Sequence, residues 1–492
     1  MSDFVKRISR LAARRWVVLG AIFLVLAAVR VSAVYNHDEL IADETFSLML
    51  AQHNPAYVSP LPADTVLTGR QIQDMLVARH PLADDLSALY VNNSDIPHAS
   101  LYYMALRLCV GGMTEYSATG LARRGGWLNM LFFAVSFYAF CRLLRLIFGS
   151  SRNLTALMAV GASAAFAGSC AVDCTMLVRE YQMAQMMIVL ACWAAASIAV
   201  RLRQGRKPRL LQWAGLVAAT AGALSTGYLN ALMIALVFGW LVVAAFVYRR
   251  YGEAMLCIAA GAASLVMAWL MYVGFFNFLL HSTIHTEYAF RQSAVLGTLV
   301  FVDCIRDGMF TLPGLVFMGL MLVFALTGKR RRQLVTPEHM PWLPLMALAA
   351  MLLTEYASVL HALRYVYPLI PVLALVVPLI LAALPGRFAA LSASAVMSLW
   401  LIGVAVFVPV RKSYDWARIA GVLHDGATLY DLNANELPQI APMVNPEAVY
   451  HLTDSVPTDR TRPVISRVVP QGGGLTKSGE LTGPLKVYRF AE

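Results

Sequence analysis

Apolar runs long enough to cross a bilayer recur along almost the whole of this chain, and they leave few folds open to it. About 20 apolar residues cover the roughly 30 Å of hydrocarbon in a membrane. Eleven such stretches can be read, at 16–34, 125–148, 153–172, 181–200, 210–226, 228–248, 254–279, 308–327, 342–360, 366–384 and 388–409. Of the 492 residues 59% are hydrophobic and only 14% charged, with a mean hydropathy of +0.63. A soluble globule cannot hide that much apolar surface. The expected fold class is an all-α polytopic membrane protein of about 11 transmembrane helices, with a small outer α/β tail.

Charge gives the orientation. With the N-terminus in the cytoplasm, the inner segments carry 20 Lys and Arg residues, from Lys6 to Arg15, then at Arg142, Arg145 and Arg152, Arg201 to Arg209, Arg249 and Arg250, Lys329 to Arg332, and Arg387. The first outer loop, 35–124, has five basic residues against ten acidic ones. Basic residues favour cytoplasmic loops, so the expectation is a multi-pass protein of a bacterial inner membrane with its N-terminus cytoplasmic and its C-terminus periplasmic. The net charge of +11 then marks loops lying near anionic lipid. Nothing calls for nucleic acid as a partner.

The stretch 101–112 is apolar but short and contains Arg107. Counting it as a span would put the Arg-rich loops outside, so it is expected to lie in the outer interface. The first 34 residues have a basic start and an apolar run that is too long for a signal peptide, with no small-residue cleavage site after it, and they read as an uncleaved first span. The chain divides into a membrane domain, 1–409, whose loop 35–124 carries the candidate site, and a small periplasmic domain, 410–492. In the latter, 416–423 reads as an amphipathic helix and 427–432, 448–453, 463–469 and 486–490 as strands. Partial disorder is expected between Thr458 and Gly483, around Gly472-Gly473-Gly474.

No phosphate-binding glycine loop, CxxC pair, HExxH helix or repeat of 20–50 residues is present. ATP hydrolysis and a structural zinc site lack support. His281 and His285 are four residues apart without a third ligand nearby, and read as interfacial polar residues. Cys170, Cys174 and Cys304 lie near outer span ends, where pairing is open.

The chemistry is expected in the loop 35–124. Asp43-Glu44 follows the first span, where carboxylates are costly and mark function. Phe46, Met49 and Leu50 suit one face of a surface helix, with the two acids in its first turn, where the helix dipole favours them. The plain alternative is that the pair only caps this helix. A second polar cluster, Asn92-Asn93-Ser94-Asp95-Ile96-Pro97-His98, stands toward the other end of the loop, just before Leu101-Tyr102-Tyr103.

Ala42-Asp43-Glu44-Thr45-Phe46-Ser47-Leu48 resembles the Asp-Glu motif of membrane glycosyltransferases with the GT-C fold, the superfamily of the protein O-mannosyltransferases and the lipid A aminoarabinose transferase. Asp95-Ile96-Pro97-His98-Ala99-Ser100-Leu101-Tyr102-Tyr103 is similar to the family's Asp-x-x-His-Pro-Pro-Leu-Tyr-Tyr segment, with Ala99 and Ser100 in place of two prolines. The residues 123–149 resemble its second span, and Arg179-Glu180-Tyr181 its Arg-x-Tyr segment, with an acid at the middle position. Arg364-Tyr365 with Pro368 and Pro371 resembles its Arg-Tyr segment. Together these cover residues 16 to about 384.

The resemblance implies transfer of a sugar from a polyprenyl-phosphate to a lipid, glycan or protein acceptor at the outer face of the membrane. By family position Asp43 would be the general base, with Glu44 orienting the acceptor or tuning its partner, and single displacement would invert the anomeric centre. Asp38 is the competing base. Asp95, His98, Tyr102, Arg179, Arg364 and Tyr365 would hold substrate or phosphate, since guanidinium groups suit phosphate oxygens. Plainer uses remain open: a snorkelling anchor for Arg364, a salt bridge to Glu180 or Asp173 for Arg179, and a helix cap for His98. No cofactor is expected beyond the lipid-linked donor, which is a substrate, and nothing supports a divalent metal. The competing functions are a transporter or flippase of a lipid-linked sugar, with Asp173, Glu180 and Glu355 on its path, and a glycan polymerase or ligase.

Overall fold

In the computed structural model the described residues are 15–37, 40–52, 61–62, 64–92, 99–272, 274–276, 294–328, 339–357, 363–384, 387–407, 421–432, 436–455, 459–470, 474–480 and 485–490. Among the described residues seven helices are long and apolar enough to cross a membrane, which makes the chain a polytopic membrane protein. The first is α1 (Arg15–Tyr35). In the loop after it come α2 (Ala42–Leu50), β1 (Thr65–Thr68), α3 (Gly69–Asp74), α4 (Leu82–Asn92) and α5 (Ser100–Val110). Then follow α6 (Ala118–Phe148), α7 (Leu154–Phe166), α8 (Ser169–Met176), α9 (Tyr181–Arg203), α10 (Leu210–Leu224), α11 (Asn230–Val247) and α12 (Tyr251–Met271). The last group is α13 (Ala294–Asp303), a π-helical segment Cys304–Phe310, α14 (Thr311–Thr327), α15 (Trp342–Ala357), α16 (Ile370–Leu373), α17 (Val376–Ala382) and α18 (Arg387–Phe407).

Most helices fall on the expected stretches, and some stretches are not single α-helices. The run 153–172 is broken into α7 and α8, bent by 60°. Gly168 sits at the break, where a Cβ would strike the backbone of Gly308 and Met309, so only glycine lets α8 approach the π-helical segment this closely. The run 366–384 is divided into 3-10 and α segments at Pro368, Pro371 and Pro378, each of which lacks the N–H that a continuous helix uses. α10 is also short, at 15 residues. α9 packs against both α6 and α10 and is the central helix of the bundle. The stretch 101–112 forms α5, buried within the loop's own core at Tyr102, Tyr103 and Leu106.

Beyond α18 lie β2 (Thr428–Tyr430), β3 (Val449–Thr453), β4 (Val464–Ser466), β5 (Leu475–Glu480) and β6 (Lys486–Phe490). They join β1 in one six-stranded sheet of order β1-β3-β2-β4-β6-β5. β1 runs antiparallel to β3, with Thr65 opposite Leu452, and β2 lies parallel to both β3 and β4. β6 is antiparallel to β4 and to β5, with an irregularity between Lys477 and Gly479. Two of these strands are not expected from sequence. β1 lies in the first loop, and β5 occupies part of the stretch where disorder is expected. The Lys477-Ser478-Gly479 run of β5 has no apolar alternation, and its order comes from pairing with β6. One apolar core, with Leu48, Leu67, Leu76, Leu429, Tyr450 and Val487 among its members, joins the loop helices to the sheet. Most of the helix expected at 416–423 lies outside the described residues.

Candidate active site

The site is built on the first turn of α2. Adjacent residues of a helix point about 100° apart, so Asp43 and Glu44 face different surroundings. Glu44 turns inward and is completely buried. Its Oε2 accepts from the backbone N–H of Ile41 at 2.9 Å, closing the start of the helix. Its Oε1 accepts from the backbone N–H of Val178 at 2.8 Å. Nε2 of His37 lies 2.9 and 3.1 Å from the two oxygens and donates from the tautomer protonated there. These donors satisfy a carboxylate that would be costly to bury alone. Glu44 thus fastens the loop to the segment between α8 and α9. Both of its oxygens are taken up by these donors, and the side chain has no open face.

Asp43 turns outward. Its Oδ2 lies 2.8 Å from Nη1 of Arg364, on the 3-10 turn Leu363–Tyr365, and the two side chains are 29% and 32% exposed. Behind this pair Arg179 is buried, and its Nη1 donates to the Asp43 carbonyl at 3.2 Å and to Ser47 Oγ at 3.3 Å. Ser47 Oγ donates to the same carbonyl at 3.0 Å. Arg179 also makes the alternative contact expected for it, a long ion pair of 3.5 Å with Glu180. Glu180 accepts in turn from the Tyr103 hydroxyl at 3.0 Å. Burial, reinforced by the Glu180 charge, pushes the Tyr103 phenol well above its ordinary range, so it stays protonated and donates.

Aromatic rings enclose the two cations. The Arg179 guanidinium lies 5.9 Å from the Tyr181 ring and that of Arg364 lies 5.7 Å from the Tyr365 ring, with the two rings 6.5 Å apart. Donors remain unspent at the open side: Arg364 Nε and the Tyr181 hydroxyl are buried and make no hydrogen bond among the described residues. A half-open carboxylate, a guanidinium with a spare donor and a nearby phenol can together take a proton and hold an anionic oxygen.

Asp43, Glu44, Arg179, Arg364 and Tyr365 therefore come together from three distant parts of the sequence. Tyr102 does not join them at the open side. It is fully buried, edge-on to Tyr103 at 5.6 Å, and an enclosed ring of this kind belongs to the core. Asp95, His98, Asp38, His281 and His285 lie outside the described residues. Sequence reasoning misses Tyr103, Ser47 and the Val178 N–H. Tyr103 has a visible signal, the Tyr-Tyr pair, whereas a backbone donor has none. Among the described residues no three His, Cys, Asp or Glu side chains form a set able to hold a metal ion. All seven cysteines are free thiols.

No family model matches the sequence, and no curated protein matches it. In structure the chain is similar to the crystal structure of ArnT from Cupriavidus metallidurans in the apo state, with a TM-score of 0.46 and 14% identity over 87% of this chain and 85% of that one.

Proposed function

We propose that this protein is a membrane glycosyltransferase that takes a sugar from a polyprenyl-phosphate donor and passes it to a lipid, glycan or protein acceptor at the periplasmic side of a bacterial inner membrane. The observation that carries the reading is the half-open Asp43–Arg364 ion pair, formed between two segments whose sequences resemble motifs of one transferase superfamily. In this reading the donor phosphate enters between the two side chains and takes Arg364 as its partner, using the spare Nε. Asp43, released from the pair, accepts the proton of the acceptor hydroxyl or amine. The nucleophile attacks the anomeric carbon from the face opposite the phosphate, the bond to the phosphate oxygen breaks, and the configuration inverts. Arg364 balances the charge that develops on the departing phosphate. Arg179 has a different task, holding the α2 backbone in place through the Asp43 carbonyl.

The test is sugar transfer by the purified, detergent-solubilised protein from a panel of radiolabelled polyprenyl-phosphate sugars, with membrane extract as acceptor. Turnover of one donor that falls by a factor of about 10² to 10⁴ in Asp43→Asn is the expected result for loss of a general base. No turnover by the wild type with any donor removes the transferase reading. Turnover that survives Asp43→Asn and is lost in Asp38→Asn moves the base to Asp38.

A further inference from the structure

Beneath the site runs a line of buried polar side chains with no part in the chemistry proposed above. Arg30, in the C-terminal half of α1, is buried, its guanidinium 4.1 Å from the Phe133 ring. Its Nη2 donates to the carbonyls of Phe166 at 2.7 Å and Ala171 at 3.0 Å, and so spans the break between α7 and α8. Its Nη1 donates to the Leu26 carbonyl at 3.2 Å. The remaining nitrogen, Nε, donates to Thr175 Oγ1 at 3.0 Å. Thr175 Oγ1 donates to Gln182 Oε1 at 2.7 Å, and Gln182 Nε2 to Gln185 Oε1 at 2.8 Å. Gln185 Nε2 donates to the backbone carbonyl of Tyr367 at 3.3 Å.

The two ends dictate the direction of every link. A guanidinium can only donate and a carbonyl can only accept. Between them the hydroxyl must accept from Arg30 and donate onward, and each glutamine must turn its oxygen toward Arg30 and its amide nitrogen toward Tyr367. Hydrogen bonds aligned in this way polarise one another, and in a dry interior a missing link leaves a polar group uncompensated. The line begins on α1, crosses α8 and α9, and ends on the 3-10 segment Tyr367–Leu369, directly after the turn that carries Arg364 and Tyr365.

We infer that the line Arg30–Thr175–Gln182–Gln185 positions the turn bearing Arg364 against Asp43, and that Gln182 and Gln185 are positioning residues for binding of the donor phosphate. The site has two halves from distant parts of the chain, and their tie on the open side is the Asp43–Arg364 pair. Entry of a phosphate would break that pair. A second tie from below keeps the turn in register when this happens. The tie rests on Tyr367, whose ring also meets that of Tyr181 at 6.2 Å. The inference that Arg364 meets a phosphate rests on the function proposed above, whereas the fixing of the turn does not.

The experiment measures amide hydrogen exchange and donor kinetics on the full-length protein in detergent for the wild type and Gln185→Met, which keeps an unbranched side chain and removes both links. In Gln185→Met the peptide covering 363–369 should exchange at least about tenfold faster, with the α2 and sheet peptides unchanged. KM for the polyprenyl-phosphate donor should rise about tenfold, with kcat within about twofold. Gln182→Met, which cuts the line one link earlier, should act in the same direction, and it carries the test if Gln185→Met does not fold. Thr175→Val, which cuts the line at its far end, should give the same pattern in weaker form. Unchanged exchange at 363–369 overturns the inference. So does an equal rise over the whole chain, the mark of a residue that merely stabilises the core. Faster exchange confined to 363–369 in a protein that transfers no sugar from any donor upholds the fixing of the turn and discards the transferase reading.

Discussion

Asp43 and Glu44 are neighbours in sequence with opposite surroundings, and the difference can be measured. Glu44 is buried among the Ile41 and Val178 N–H groups and His37. Replacing it by glutamine puts an amide NH₂ against donors and leaves at least one buried group unsatisfied, at a cost of about 1–3 kcal/mol. Glu44→Gln should therefore lower the unfolding midpoint in detergent clearly. The half-exposed Asp43–Arg364 pair is of the kind worth only ~0–1 kcal/mol, so Asp43→Asn should leave the midpoint nearly unchanged while abolishing transfer. If thermal unfolding shows Asp43→Asn to be the more damaging of the two, the division of roles is wrong. The sequence makes this pair conspicuous without saying which acid is buried. The reason is physical: the decisive partner of Glu44 is a backbone N–H about 130 residues away, and any residue type can supply one.

At the scale of elements, the legible features are those with a local cause. Helices such as α1, α6 and α9 follow from uninterrupted apolar runs, and the fragmentation at 366–384 from its prolines. β1 has no local cause. Thr65-Val66-Leu67-Thr68 is too short to stand out, and it becomes a strand by pairing with β3, nearly 400 residues later. Its junction with the sheet is tight: a Cβ on Gly69 would run into the Asn445 carbonyl, and the Gly69 N–H donates to the Ala448 carbonyl at 3.0 Å. Gly69→Val should prise the loop from the sheet, because the obstruction is backbone and cannot swing aside. Limited proteolysis should then cut the tail beyond residue 420 faster than in the wild type, while the helical bundle stays intact. Equal cleavage rates would mean that the tail holds its fold without the loop.

For the whole molecule, the shared sheet constrains how the chain crosses the membrane. β1 and β3 are paired, so they lie on one side, and the chain between them crosses the bilayer an even number of times. Of the seven long apolar helices among the described residues the first precedes β1, leaving six, and the bent α7–α8 pair, counted as one span, brings the count to seven, which is odd. With the pair counted so, an even total within the described residues takes an odd number of the shorter apolar helices: Ser100–Val110, Leu210–Leu224, Trp342–Tyr356 or Tyr367–Ala382. Ser100–Val110 is committed to the core of the loop. If the other three cross, ten crossings separate the strands, eleven in all, in agreement with the hydropathy of the sequence. Short helices can be accommodated by local thinning of the bilayer at modest cost. Single cysteines introduced at Glu115, Asp425 and Lys207 in a cysteine-free background test this. A membrane-impermeant maleimide applied to spheroplasts should label the Glu115→Cys and Asp425→Cys proteins, and should reach Lys207→Cys only after the membrane is opened. Labelling of Glu115→Cys and Asp425→Cys from opposite sides would break the sheet and the crossing count together. Labelling of both only after opening would keep the sheet and reverse the orientation, placing the site in the cytoplasm and overturning the proposed transfer at the periplasmic side.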